Sequence, residues 1–291
     1  MALAQNTRTN VGVIGLGIIG SRVAAALRHE GFPTSVWNRT PKPIPSFLAS
    51  PSDVAGASEV IQLFVADANA TLAMIDAMAD GLTQNHVILS HGTIGLDGTL
   101  EAAERVRKRG AQFLDAPFTG SKGAAENRQL VYYLGGDSAL AVRVRPVLEA
   151  SSKAILHVGD VGQAAVVKIA TNMISAATAQ VLAEALALTV KSGIRGEALA
   201  EAIALNAMRS GVTDLKLPKM LSSDYEPHFS LKHMLKDVQL GLQLAKKLGI
   251  TLPATSTITQ ELADGEARGW GDLDYAAVAK TFETGSAPAR A

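Results

Sequence analysis

Three groups of residues have types and spacings that could do chemistry. The first is Gly15-Leu16-Gly17-Ile18-Ile19-Gly20, a G-x-G-x-x-G turn. It follows the β-branched run at residues 11–14 and opens residues 21–30, where Val23, Ala24 and Leu27 share one side. In that setting each of its glycines has a task. Gly15 permits a tight turn, Gly17 lets backbone approach a pyrophosphate, and Gly20 lets helix pack against strand. The phosphates then meet a helix N-terminus, where unpaired N–H groups and the helix dipole favour anions. The expectation is a dinucleotide site. A glycine turn of purely structural use is the alternative.

The second group is Asn38-Arg39-Thr40, at the end of a second short run at residues 34–37. Dinucleotide sites for NAD usually place Asp or Glu there, on the ribose 2′-hydroxyl. No carboxylate is present to repel a 2′-phosphate. Arg39 offers a fork that suits one, with neutral hydrogen bonds from Asn38 and Thr40. NADP(H) is therefore the expected cofactor, against the alternative of a solvated loop arginine. The third group is Lys168 and Asn172, spaced i, i+4 on one helix face. A lysine facing a cleft there could protonate a carbonyl oxygen as hydride arrives. A lysine snorkelling from a helix edge satisfies the same spacing.

The elements that must position these groups alternate. Strand-like runs at residues 60–65, 87–89, 112–115, 130–134 and 154–158 are separated by helical patterns at 70–78, 100–110 and 139–150. That alternation predicts an α/β Rossmann unit with a parallel, doubly wound sheet. Beyond Gly162 the texture changes. Residues 163–190 contain no Pro or Gly and read as one long helix ended by Gly193. Helical patterns follow at 197–205, 231–248, 256–266 and 274–281. The predicted organisation is a cofactor domain over residues 1–161 and an all-α domain over 162–291, joined by a long interdomain helix at about 162–192.

Lys+Arg and Asp+Glu both number 27, for a net charge of +0. A balanced chain has no general pull toward nucleic acid or an anionic membrane. With no cysteine, disulfides, thiolate metal sites and a cysteine nucleophile are excluded. No signal-peptide pattern and no run of about 20 uninterrupted apolar residues is seen, so a cytoplasmic protein without a membrane span is expected. His228 and His233 flank Phe229 without a plausible ligand set, and no metal is expected. His91 follows a strand, and reads either as a substrate contact or as a polar loop histidine.

Four segments in order resemble the β-hydroxyacid dehydrogenase family of two-domain reductases: Gly15 to Gly20; Asp115-Ala116-Pro117-Phe118-Thr119-Gly120-Ser121; Gly162 with Lys168 and Asn172; and Phe229 with Lys236-Asp237. The resemblance covers residues 11–282. Within the family it is most similar to the glyoxylate/succinic semialdehyde reductases, through Gly120-Ser121-Lys122 and Gly269-Trp270-Gly271-Asp272-Leu273-Asp274. The fold is also similar to that of imine reductases.

The resemblance implies roles by position. Lys168 is the general acid/base and Asn172 assists it. Thr119, Gly120 and Ser121 bind a substrate carboxylate, and Thr119 also belongs to the catalytic group. Val65 and Thr93 lie near the nicotinamide, Lys236 contacts the cofactor, Asp237 stands beside the site, and Phe229 covers it. The implied reaction is NADPH-dependent reduction of small aldehyde or keto acids, by a homodimer. Dehydrogenases of the 3-hydroxyisobutyrate or tartronate semialdehyde type, promiscuous ketone or imine reductases, and a non-catalytic NADPH-binding scaffold are the alternatives. The chain departs from the family where Thr119 replaces serine, Arg128 and Ala164 replace glycine, and Ser90-His91-Gly92 lacks the usual acidic residue and serine. These departures bear on the substrate more than on the reaction type.

Overall fold

A computed structural model describes residues 8–283. The chain divides into two compact units, one ending at Lys168 and one beginning at Ile169. The first contains β1 (Val11–Ile14), α1 (Gly20–His29), β2 (Thr34–Trp37), α2 (Pro51–Ala57), β3 (Val60–Leu63), α3 (Ala68–Met78), β4 (Val87–Ser90), α4 (Gly95–Lys108), β5 (Gln112–Asp115), β6 (Phe118–Thr119), α5 (Lys122–Glu126), β7 (Leu130–Gly135), α6 (Ser138–Glu149) and β8 (Ser152–Gly159). The sheet order is β2-β1-β3-β4-β5-β7, with β6 and β8 also paired to β7.

Every residue of β1, β3 and β4 is buried, because parallel strands covered on both faces need continuous apolar runs. Val11 and Val13 join Val23, Leu27 and Val144 in one core, while Ile14 joins Ile75, Met78 and Val106 in another. Alternate residues of one strand therefore serve two helical layers, as a doubly wound unit requires. The expectation of an all-parallel sheet is corrected at its far side. β7 runs antiparallel to β5 and β6, and parallel to β8. A parallel return needs a crossover, usually a full helix. The chain between β5 and β7 instead holds two-residue β6 and five-residue α5.

The sequence reading did not predict α2, which starts at Pro51 with Ser50 accepting from Asp53 N at 3.0 Å. It also began α4 too late, since Gly95 and Gly98 resemble a loop. Gly98 instead lets α4 pack on α3, where an added Cβ would lie 3.0 Å from the Ala68 side chain.

The helix α7 (Gln163–Lys191) leads into the second unit. There follow α8 (Gly196–Ala204), α9 (Gly211–Ser222), α10 (Leu231–Leu248) and α11 (Pro253–Gly265), a short π segment (Glu266–Trp270) and a 3-10 helix (Tyr275–Phe282). The core gathers Leu182, Leu186, Leu217, Met220, Met234, Val238 and Leu262. The sequence reading missed α9, which contains Pro218 and opens on a Ser210/Thr213 capping box. The last segment, read as helical over 274–281, is a 3-10 helix at Tyr275–Phe282. By length and mean hydropathy, 1.5, α7 would also suit a membrane span. One of its sides, with Ala176, Ala179 and Ala183, belongs to the core of the second unit.

Candidate active site

The glycine turn is built by exclusion. Gly15 has φ +96°, and a Cβ there would lie 2.2 Å from the Phe64 carbonyl oxygen. A Cβ on Gly20 would lie 1.9 Å from the Gly15 carbonyl oxygen. Gly17 differs, since a Cβ there would meet no heavy atom within 4 Å. The backbone of Gly17 thus faces open space at the start of α1, whose N-cap Ile19 brings no side-chain oxygen. Leu16 is buried and Ile18 half-exposed. This is a cradle that fits a dinucleotide phosphate, with backbone N–H groups at a helix N-terminus to hold it.

Asn38 proves to be a brace for that turn. Its Oδ1 accepts from Leu16 N at 2.9 Å, and its Nδ2 donates to Thr40 O at 2.8 Å. Arg39 and Thr40 are exposed. The sequence reading missed Lys42, whose Nζ donates to Leu16 O at 2.5 Å. A second cation three residues after Arg39 was the available signal. Two cations therefore follow β2 close to the turn.

The carboxyl ends of β3, β4 and β5 lie side by side in the sheet, the usual place for a ligand in such folds. Val65 follows β3, Thr93 follows β4, and the segment Thr119-Gly120-Ser121 follows β5. The first two loops touch closely, since a Cβ on Gly92 would lie 2.6 Å from Val65 O. Thr119 is half-buried and pairs with Val131. Gly120 has φ +132°, and Ser121 opens α5 with no side-chain cap bond of its own. Arg22 bonds Glu126 at 2.7 Å, tying α5 to α1. Arg128 pairs with Glu30 and adopts φ +55°. That is the left-handed conformation a glycine takes without strain, and the resemblance implies a glycine at this place.

Asp115, unremarked as a functional residue in the sequence reading, caps α7 from across the fold. Its Oδ1 accepts from Gly162 N at 3.1 Å and its Oδ2 from Ala165 N at 3.0 Å. Burial pushes its pKa up, and these backbone donors oppose that shift. The same residue ends β5 and so begins the run to Thr119. Half-buried Lys168 follows on α7 within one turn of the capped end. His91 is not a polar loop residue. It is 2% exposed and stacked on Phe64 at 4.3 Å.

In the second unit, Asn172 Nδ2 donates to Asp237 Oδ2 at 2.5 Å, and Lys236 Nζ stands 2.8 Å from Asp237 Oδ1. Asp237 is 1% exposed. A Cβ on Gly241 would meet Met173 Sδ at 2.8 Å, so α7 and α10 approach closely here. Phe229 is half-buried, 6.1 Å from the His233 ring and 6.2 Å from the Tyr275 ring. Its backbone is held by a residue whose role the sequence reading did not foresee. Asp274, fully buried, accepts from His228 N and Phe229 N at 3.0 and 3.2 Å. Its carboxylate also pairs with Lys216 at 2.8 Å, and that ammonium lies 4.0 Å from the Tyr275 ring centre. Burial lowers the Lys216 pKa, while Asp274 raises it. A lysine between Leu215 and Leu217 was the visible signal. Among the described residues no group of three or more His, Cys, Asp or Glu is placed to hold a metal.

Residues 10–159 match the NAD-binding domain of 6-phosphogluconate dehydrogenase. Residues 162–282 match the NAD-binding domain of NADP-dependent 3-hydroxyisobutyrate dehydrogenase. The chain is 30% identical to glyoxylate/succinic semialdehyde reductase 1 of Arabidopsis thaliana, over 92% of this chain and 96% of that protein. It is 30% identical to 2-(hydroxymethyl)glutarate dehydrogenase of Eubacterium barkeri, over 94% of each. A 3-hydroxyisobutyrate dehydrogenase structure from Mycobacterium tuberculosis shares the fold, with a TM-score of 0.85 at 23% identity, covering 95% of this chain and 100% of that one.

Proposed function

Because this chain belongs to the β-hydroxyacid dehydrogenase family, oxidoreductases that use a nicotinamide dinucleotide, we propose that it reduces small aldehyde or keto acids with NADPH. Glyoxylate and succinic semialdehyde are the proposed substrates. One observation carries the reading: Lys168 lies on a helix whose first turn is capped by Asp115, the residue from which the Thr119-Gly120-Ser121 loop departs. In this reading the proton donor and the carboxylate donors are both anchored to the end of β5.

Bound NADPH supplies the hydride. Lys168 gives its proton to the carbonyl oxygen as negative charge develops there. Thr119 and Ser121 offer hydroxyls and Gly120 a backbone N–H to the substrate carboxylate, which fixes the carbonyl for reaction. The family resemblance assigns Val65 and Thr93 to the nicotinamide, Lys236 to the cofactor and Phe229 to covering the reaction from water. Asp237 engages the amide of Asn172 and so orients it for its part beside Lys168. The NADP preference is supported by Arg39 and Lys42, with no carboxylate at the end of β2. A homodimer belongs to the same reading. Ile174, Val181 and Leu188 are 66%, 61% and 73% exposed at seven-residue spacing on α7, a stripe that suits a second copy.

The test is NADPH oxidation by the purified protein over glyoxylate, succinic semialdehyde, tartronate semialdehyde, simple ketones and cyclic imines, with NADH in parallel. Light scattering on the same sample is expected to show a dimer, and a monomer would remove that part of the reading. The aldehyde acids should turn over fastest, with NADPH preferred. Lys168→Ala should lower turnover by about two to four orders of magnitude and spare NADPH binding. Near-normal turnover in that variant would refute the role of Lys168. No oxidation with any aldehyde acid would refute the reading as a whole.

A further inference from the structure

The loops that leave β3, β4 and β5 meet on one buried side chain, His91. Its Nδ1 lies 2.6 Å from Ala116 O and its Nε2 lies 2.9 Å from Gln62 Oε1. The ring stacks on Phe64 at an interplanar angle of 17°, with Tyr132 at 5.2 Å and Phe118 at 6.5 Å. The β4–β5 ladder ends where Ala116 N donates to Ser90 O at 2.8 Å. Ala116 O lies just beyond that ladder, where the chain turns into Pro117 and the substrate loop. The imidazole of His91 takes the place of the next ladder bond.

The proton inventory fixes the direction of this bridge. A backbone carbonyl only accepts, so His91 Nδ1 carries the hydrogen. Burial, the larger influence, holds the imidazole pKa down at about 4, which leaves Nε2 as a lone pair at neutral pH. That lone pair needs a donor. Among the described residues Gln62 Nε2 is a buried amide nitrogen with no other partner. The two ends of a glutamine amide are interchangeable in shape. Turned over, Gln62 donates to His91 Nε2, and His91 Nδ1 donates to Ala116 O. The polarised chain runs from the centre of the sheet to the root of the substrate loop.

We propose that His91 is a positioning residue for substrate, setting the Thr119-Gly120-Ser121 loop through the carbonyl of Ala116. The inference rests on the substrate role proposed above for that loop. It makes His91 a determinant of how this chain seats its carboxylate substrate.

His91→Phe keeps a ring to stack on Phe64 and removes the donor to Ala116. His91→Asn is smaller, but its amide nitrogen can stand where Nδ1 stood. KM for the aldehyde acid should rise about tenfold in His91→Phe, the worth of one buried hydrogen bond, with kcat within about threefold and the NADPH Kd unchanged. His91→Asn should recover most of that loss. A role in core packing alone reverses the order, the smaller Asn being worse than Phe, and that result would overturn the proposal, as would an unchanged KM in His91→Phe. Amide hydrogen exchange over residues 118–122 reads the same bridge without substrate. It should quicken in His91→Phe and in Gln62→Met, and stay near the parent rate in His91→Asn. Should the parent protein turn over no aldehyde acid, the proposed function fails while exchange still judges the bridge, and unchanged exchange in both His91→Phe and Gln62→Met rejects it.

Discussion

In the first unit, the groups offered to a ligand at the glycine turn are backbone groups. Gly17 and the start of α1 present N–H groups, braced from behind by the neutral amide of Asn38. The buried polar side chains there are mostly spent on backbone, with His91 on Ala116 O and Asp115 on the first turn of α7. In the second unit, the corresponding residues are paired charges, Lys216 with Asp274, both buried, and half-buried Lys236 with buried Asp237. The contrast teaches where damage should appear. A change at Gly17 of the cradle should alter binding at little cost in stability, since a Cβ there meets no atom, unlike one at Gly15 or Gly20. Changes in the paired charges should alter stability first, because a buried charge stripped of its partner pays its full desolvation cost.

The largest expected effect follows from that difference. Lys216→Met leaves the Asp274 carboxylate buried, with backbone donors and no cation. Denaturant unfolding should show a loss of about 3–5 kcal/mol. A loss under 1 kcal/mol would mean that the pair contributes no more than an exposed one.

Next in size is a pH dependence in the first unit. The pKa of His91 lies near 6.5 in an unfolded chain and is held at about 4 by burial in the fold. The folded state therefore prefers the neutral ring, so its contribution is fully present above pH 6.5 and is lost as pH falls toward 4. The expected loss is on the order of 3 kcal/mol. Of the side chains facing the ring, Phe64, Phe118, Tyr132 and Gln62, only Tyr132 titrates, and burial pushes its pKa up, away from this window. Urea midpoints measured across that range should fall in the parent protein and lose most of that slope in His91→Asn. Equal slopes in both would show that other groups carry the dependence.

The smallest effect on the fold is expected at the cradle. Gly17→Ala places a methyl in open space, and the position needs no left-handed backbone. The melting temperature should stay within a degree or so, while NADPH affinity falls by roughly tenfold or more as the methyl fills the approach to the phosphates. Titration calorimetry beside thermal unfolding separates the two. A loss of stability without a loss of affinity would place the dinucleotide elsewhere.

How much of this was legible in advance depended on the range over which each signal acts. The runs at Val11–Ile14 and Thr34–Trp37, the glycine turn between them and the eighteen-residue α10 appeared at their bounds, because periodicity and turn chemistry are local. α9 was hidden by Pro218 and α2 by its small polar residues, since tertiary packing overrides weak propensity. Lys42 was overlooked because a loop lysine carries no periodic signal. The bond that draws it to Leu16 O spans 26 positions.

By itself the sequence determined the kinds of element, their order, and the residue types available for a dinucleotide and for the proposed proton donor and carboxylate loop. Those are properties of neighbours along the chain. Tertiary structure alone decided that β7 turns antiparallel, that Asn38 braces the turn, that Asp115 caps a helix 47 positions away, and that His91 lies buried against Phe64. Each of these outcomes is the satisfaction of a buried polar group or strand edge by a partner remote in sequence, and such a partner is found only when the chain has closed around it.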